Sequence, residues 1–173
     1  PWVFRRYLNR ADITGIRALK RRLAQRLLRS SEAVLNLQTS PGGSHDLESI
    51  VQFLQLLNGG TFSPLRTRNT LNAIEQLKAT QCLTPEEGSR LRDNYVYPRT
   101  VEHRLQIFFD VESYSLPKQN SERQQLAALL APADRAWLAA TDQLENELQL
   151  RMEENRRTLT HLLDEAFEED VDS

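Results

Sequence analysis

Leu144-Glu145-Asn146-Glu147-Leu148-Gln149-Leu150-Arg151-Met152-Glu153-Glu154-Asn155-Arg156-Arg157-Thr158-Leu159-Thr160-His161-Leu162 decides the fold of this chain. Leu144, Leu148, Met152, Leu159 and Leu162 stand three, four or seven residues apart, so a helix gathers them into one stripe while a strand would scatter them over two faces. Trp137 and Phe167 extend the stripe, and the spacing predicts one long helix from about Asp134 to Phe167, followed by an acidic tail. A single stripe cannot be buried alone. It asks for other helices around it.

The rest of the chain supplies them. Ile16, Leu19, Leu23 and Leu27 predict a helix from about Asp12 to Arg29, and Leu47, Ile50, Val51, Leu54 and Leu57 predict a second from about Asp46 to the stop Asn58-Gly59-Gly60. Leu71, Ile74 and Leu77 mark a third over about Asn69 to Ala79. Thr84-Pro85-Glu86-Glu87 has a capping Thr, Pro at the first helical position and Glu three after the cap, which opens a fourth helix carrying Leu91, Tyr95, Val101, Leu105 and Phe108. Pro98 lies inside it and is expected to kink or interrupt it. Ser121 with Gln124 reads as a second capping box, for a short helix through about Leu130. The expected fold is all-α: an up-and-down bundle of four to five helices with a long C-terminal helix. One stretch resists. Residues 34–38 alternate apolar and polar as a strand does, and a lone strand needs a sheet that this chain does not offer. The reading is that residues 1–38 hold a helix and the last strand of a missing upstream domain, 39–133 the bundle, and 134–173 a helix and tail that complete it or lead to a second half.

The totals exclude several classes. No apolar run approaches the roughly 18 residues of a membrane span. The chain opens at Pro1 without a methionine, so an upstream segment is expected. Cys82 is the single cysteine, which removes any internal disulfide framework and suits a reducing, cytoplasmic setting. The net charge of −2 conceals an asymmetry, because residues 1–30 hold nine Arg/Lys and one acid whereas residues 142–173 hold eleven acids and three Arg. Arg17, Lys20, Arg21, Arg22, Arg26 and Arg29 share a helix without interleaved aromatics, so a solvated or intramolecular face is expected rather than a nucleic-acid one.

Chemistry has few places to sit. His45, His103, His161 and Cys82 lack the short pair spacings of metal ligands, and no nucleophile elbow or phosphate-cradling P-loop is present. Two stretches remain. In Pro41-Gly42-Gly43-Ser44-His45-Asp46-Leu47-Glu48, paired glycines precede a helix and two carboxylates occupy its first turn, two apart and so on different faces. In Tyr95-Val96-Tyr97-Pro98-Arg99-Thr100-Val101-Glu102-His103-Arg104-Leu105-Gln106, the residues Arg99, Glu102, His103 and Gln106 make one polar stripe. Such a stripe faces water, forms a buried network, or lines a cleft shared with another domain.

These two stretches, in this order, resemble the helical domain of bacterial glutamine synthetase adenylyltransferases. The family pattern is a short strand, Gly-Gly-Ile-Arg-Asp-Ile-Glu-Phe, an apolar helix with Gln-x-x-Gln-Leu, then Tyr-x-x-Leu-Arg-x-x-Glu-His-Arg-Leu-Gln and a later Leu-Pro. The matching residues here are Gly42, Gly43, Asp46, Glu48, Gln52, Gln55, Leu56, Tyr95, Arg99, Glu102, His103, Arg104, Leu105, Gln106 and Leu116-Pro117, over roughly residues 12–130. Ser44, His45, Ser49 and Pro98 stand where the family has Ile, Arg, Phe and Leu.

The resemblance implies a parent enzyme in which an upstream nucleotidyltransferase domain holds ATP and Mg²⁺ and moves AMP onto a tyrosine of glutamine synthetase, while a second half removes it. Glutamine synthetase and the PII signalling protein are the implied partners. Asp46, Glu48, Arg99 and Glu102 are then expected to line the cleft at one mouth of the bundle, with Gly42, Gly43, His45 and Arg104 on the nucleotide or substrate side. No metal ligand is expected in this chain, nor catalysis by it alone. The other readings are a non-catalytic interaction bundle and the related PII uridylyltransferase.

Overall fold

The computed structural model describes residues 10–28, 35–109, 114–130 and 140–168, and among these the chain forms six α-helices. They are α1 (Arg10–Leu27), α2 (Ser44–Asn58), α3 (Thr70–Ala79), α4 (Pro85–Phe109), α5 (Asn120–Leu130) and α6 (Ala140–Glu168), with one 3₁₀ turn at Ser63–Leu65. The class is all-α, with six helices instead of four to five. Each helix packs against the next in sequence, and α6 also packs against α1, α2 and α4. No helix among the described residues is long and apolar enough to cross a membrane.

The stripes meet in two apolar clusters. One joins Leu23 and Leu27 to Ile50, Ile74, Leu91 and Leu159, and the other joins Leu37, Val101, Leu105, Leu126, Leu148 and Met152. Trp137 and Val34 lie outside the described residues, as does the tail beyond residue 168.

Helix ends follow local chemistry. The Thr84 box closes in both directions: the Glu87 amide donates to Thr84 Oγ1 at 3.2 Å and the Thr84 amide donates to Glu87 Oε2 at 2.8 Å. At α3, Asn69 Oδ1 accepts from the Asn72 amide at 2.9 Å. Its far end closes when the Cys82 amide donates to the Leu77 carbonyl at 2.9 Å, with Gln81 at φ 59° in the left-handed position that glycine usually takes.

Four expectations change. Residues 35–37 form no strand. Their partner lies in this chain, since Leu37 N donates to Tyr114 O at 2.7 Å and Leu116 N to Leu35 O at 3.3 Å, leaving one isolated bridge between Asn36 and Ser115. The Asn36 carboxamide then turns the chain by accepting from the Gln38 and Thr39 amides, which stops the extended run after one pair. Helix α2 ends without a left-handed residue: Gly59 has φ −67°, and Arg66 covers the Gly59 and Gly60 carbonyls at 2.7 and 3.3 Å. Ser121 caps nothing, because α5 starts one residue earlier and the Arg123 amide donates to the Gln119 carbonyl at 3.1 Å. Of the kink or interruption expected at Pro98, the interruption does not occur, since α4 continues through it to Phe109.

Candidate functional site

The glycine loop is held from inside the chain. Gly42 has φ +80°, and a Cβ there would lie 2.0 Å from the Met152 carbonyl oxygen, so only glycine lets the loop approach the α6 backbone this closely. The Gly42 amide donates to Asp46 Oδ2 at 2.9 Å, and its carbonyl accepts from Asn155 Nδ2 at 3.0 Å. At Gly43 a Cβ would stand 2.8 Å from the Leu37 and Gln38 carbonyl oxygens. Those carbonyls accept from the Ser44 and His45 amides, while the Asp46 and Leu47 amides donate to Gly43 O. The first amides of α2, which would otherwise offer an anion cradle, are therefore occupied by the chain's own loop.

Asp46 belongs to this anchor. It is 2% exposed, accepts from Gly42, and pairs with Arg26 Nε of α1 at 2.5 Å. Glu48, two residues on, turns to the other side of α2 and meets α4. Tyr95 Oη donates to Glu48 Oε1 at 2.8 Å, Arg99 Nη2 approaches the same oxygen at 3.8 Å, and Arg99 Nη1 donates to Glu102 Oε2 at 2.9 Å. The Arg99 guanidinium carbon also lies 5.7 Å from the Tyr95 ring centroid.

The four residues Glu48, Tyr95, Arg99 and Glu102 thus form one chain of contacts between α2 and α4. Asp46 stands in a separate one with Arg26 and Gly42. The electrostatics follow: the hydrogen bond to Glu102 raises the Arg99 pKa, while burial and then the Glu48 hydrogen bond raise that of Tyr95. The guanidinium is thus fixed as a cation and the phenol as a neutral donor.

The remaining expected residues fall elsewhere. His45, His103, Arg104 and Gln106 are exposed, whereas Glu102 is 3% exposed, so the polar stripe of α4 divides between water and interior. Among the described residues no group of three or more His, Cys, Asp and Glu could hold a metal ion.

A second polar contact set was not anticipated from sequence. Arg151 of α6 donates to Asn94 Oδ1 at 3.1 Å, pairs with Glu147 at 2.7 Å, and lies 4.4 Å from the Tyr97 ring centroid. Burial and the neighbouring Glu147 charge raise the Tyr97 pKa. A signal for this set does exist in the sequence: Asn94 follows Leu91 by three, in the apolar register of α4.

The family model described as GlnD PII-uridylyltransferase matches residues 15–163. The chain belongs to this family. Curated relatives of this GlnD PII-uridylyltransferase family member carry another name. A bifunctional glutamine synthetase adenylyltransferase/adenylyl-removing enzyme of Stenotrophomonas maltophilia (strain K279a) is 35% identical over 147 residues, which is 83% of this chain and 16% of the relative. The enzyme of the same name from Chromobacterium violaceum is 34% identical over 152 residues, 88% of this chain and 17% of its own length. That from Aromatoleum aromaticum is 33% identical over 127 residues, 73% of this chain and 13% of its own length. The family member described here therefore spans about a sixth of the length of the first of these relatives.

Proposed function

We propose that this chain is the helical domain of a cytoplasmic protein nucleotidyltransferase that adenylylates and deadenylylates glutamine synthetase, moving AMP from ATP to and from a tyrosine. The carrying observation is that the glycine-loop stretch and the Tyr95–Gln106 stretch meet in space at Glu48, through Tyr95 at 2.8 Å and Arg99 at 3.8 Å. The names of relatives at 33–35% identity support the same reading.

In this reading residues 1–38 adjoin the upstream nucleotidyltransferase domain, 39–133 carry the bundle with the Gly-Gly motif, and 134–173 complete it or lead to a second half. Metal and nucleotide belong to the upstream domain. The described residues do not fit them, because the α2 amides are engaged internally and no metal-ligand group is present among them. The bundle's share is to wall the cleft. Asp46, Gly42 and Gly43 brace the start of α2, which carries Glu48. Arg99, held by Glu48 and Glu102, presents a half-exposed permanent cation to phosphate or to the target protein. His45 and Arg104 are exposed, and in this reading they serve the nucleotide or substrate side. The isolated chain is inactive in this scheme, and the PII signalling protein is its regulatory partner.

The test uses the full-length protein that carries this segment, with labelled ATP, Mg²⁺ and glutamine synthetase, beside Glu48→Ala and Arg99→Ala. Label on the synthetase that falls at least tenfold in both variants, with unchanged melting temperature, supports the reading. No transfer, and no phosphate-dependent removal from pre-labelled synthetase, returns the chain to a non-catalytic interaction bundle. The family description favours one further reading, uridylylation of PII. Labelled UTP with PII in the same assay distinguishes it.

A further inference from the structure

The interior of this bundle is divided. The first apolar cluster is built on α1, α2 and α3 and the second on Leu37, Leu116 and α5; among the described residues only α4 and α6 contribute to both. Where those helices pass from one cluster to the other, their inward positions turn polar or helix-weakening. On α4, where the change falls between Tyr95 and Tyr97, the buried residues around it are Asn94, Pro98 and Glu102, and on α6 Asn155 and Thr158 fill the change between Met152 and Leu159.

Asn94, Glu102 and Asn155 are each 2–3% exposed, yet Asn94 Nδ2, Glu102 Oε1 and Asn155 Oδ1 have no hydrogen-bond partner among the described residues. A buried polar atom without a partner destabilises the closed arrangement and not one that water can reach. Pro98 acts at the same level. It has no amide for the Asn94 carbonyl, so α4 loses a rung of its ladder at the seam.

We propose that the bundle bends at this polar seam, α4 pivoting at Pro98 and α6 at Asn155, so that the half built on α1–α3 rocks against the half built on α5. The contacts of the candidate site are distributed as such a joint requires. Glu48 to Tyr95, at 2.8 Å, lies on one side, and Arg99 to Glu102, at 2.9 Å, lies on the other. The contacts that cross are the loose ones, Glu48 to Arg99 at 3.8 Å and the Arg99 guanidinium over the Tyr95 ring at 5.7 Å. Bending makes or breaks them and so turns the Arg99 cation toward or away from the cleft. That consequence rests on the proposed function; the bend itself does not.

Hydrogen exchange followed by mass spectrometry on the full-length protein tests the bend without reference to activity. Amides of residues 99–103 and 153–158 are expected to exchange at least tenfold faster than those of residues 50–55, 144–148 and 159–163, because seam openings need not unfold either cluster. Pro98→Ala restores the missing donor and is expected to slow exchange in residues 99–103 by tenfold or more, beyond any change in the cluster amides. Seam amides in the natural protein that exchange no faster than the clusters would overturn the proposal. So would a Pro98→Ala protein whose seam and clusters slow equally. If that variant does not fold, the comparison within the natural protein decides alone.

Discussion

Replacing Gly42 by Ala tests the contact that fixes the loop to the last helix. The new methyl would meet the Met152 carbonyl oxygen at 2.0 Å, the Met152 carbonyl carbon at 2.9 Å and the Arg156 amide nitrogen at 3.2 Å. All three are backbone atoms of α6, so no rotamer change relieves the clash. Holding alanine at φ +80° costs about 1–2 kcal/mol. Pushing the loop from the helix adds about 1–3 kcal/mol of overpacking. A loss of about 3.5 kcal/mol, the middle of those ranges combined, corresponds in a domain of this size to a fall of about 7–14 °C in melting temperature. Thermal and urea unfolding followed at 222 nm would measure it. Gly15→Ala is the control: a Cβ there meets nothing within 4 Å, and alanine in an exposed helix interior adds about 0.5–1 kcal/mol of stability. A Gly42→Ala protein within about 1 kcal/mol of the natural one, with the control behaving, would refute the close approach of loop and helix.

Two more outcomes follow from the neighbouring contacts. Asp46→Ala strips Arg26 of its partner and the Gly42 amide of its acceptor; Arg26 is a third exposed, so the loss belongs at the lower end of the range for a broken buried pair, about 3 kcal/mol, read by urea unfolding. A smaller loss than from Thr84→Ala, where an exposed cap is worth about 1 kcal/mol, would contradict the anchoring role. Tyr95 and Tyr97 have pKa values raised above 10.0, so their contribution to stability is complete below that pH and is lost as pH rises through their folded values. Tyr95→Phe should flatten the alkaline decline in stability, and spectrophotometric titration near 295 nm should lose one late-ionising tyrosine; an unchanged alkaline limb would show that Tyr95 is neither buried nor bonded to Glu48 in solution.

Much of this architecture could be read locally. The stripes of α1, α2, α3 and α6 repeat every three or four residues, and the Thr84 box names its own partner three residues away, so both are legible to a window of one or two turns. Residues 35–37 were not, because their partner Tyr114–Leu116 lies about eighty residues on and nothing local announces it. For the same reason the glycine loop looked open to a ligand while its amides turn back onto Leu37, Gln38 and Gly43. Periodicity placed Asp46 and Glu48 on different faces, but what each face meets depends on the arrangement of α1 and α4. Glu102 is the sharpest instance: its spacing from Arg99, His103 and Gln106 joins it to an exposed stripe, and only helix packing turns it inward.

The position of α6 sets the order in which the protein can be built. It packs against α1, α2, α4 and α5, and it supplies Leu159, Leu162 and Leu163 to one apolar cluster and Leu144, Leu148 and Met152 to the other. Synthesis runs from the amino end, so the apolar stripes of α1–α5 are already made when the segment that covers them has yet to leave the ribosome. The second cluster cannot close before Met152 has emerged, nor the first before Leu163, which makes the incomplete bundle a substrate for chaperones during elongation and makes its folding a late event.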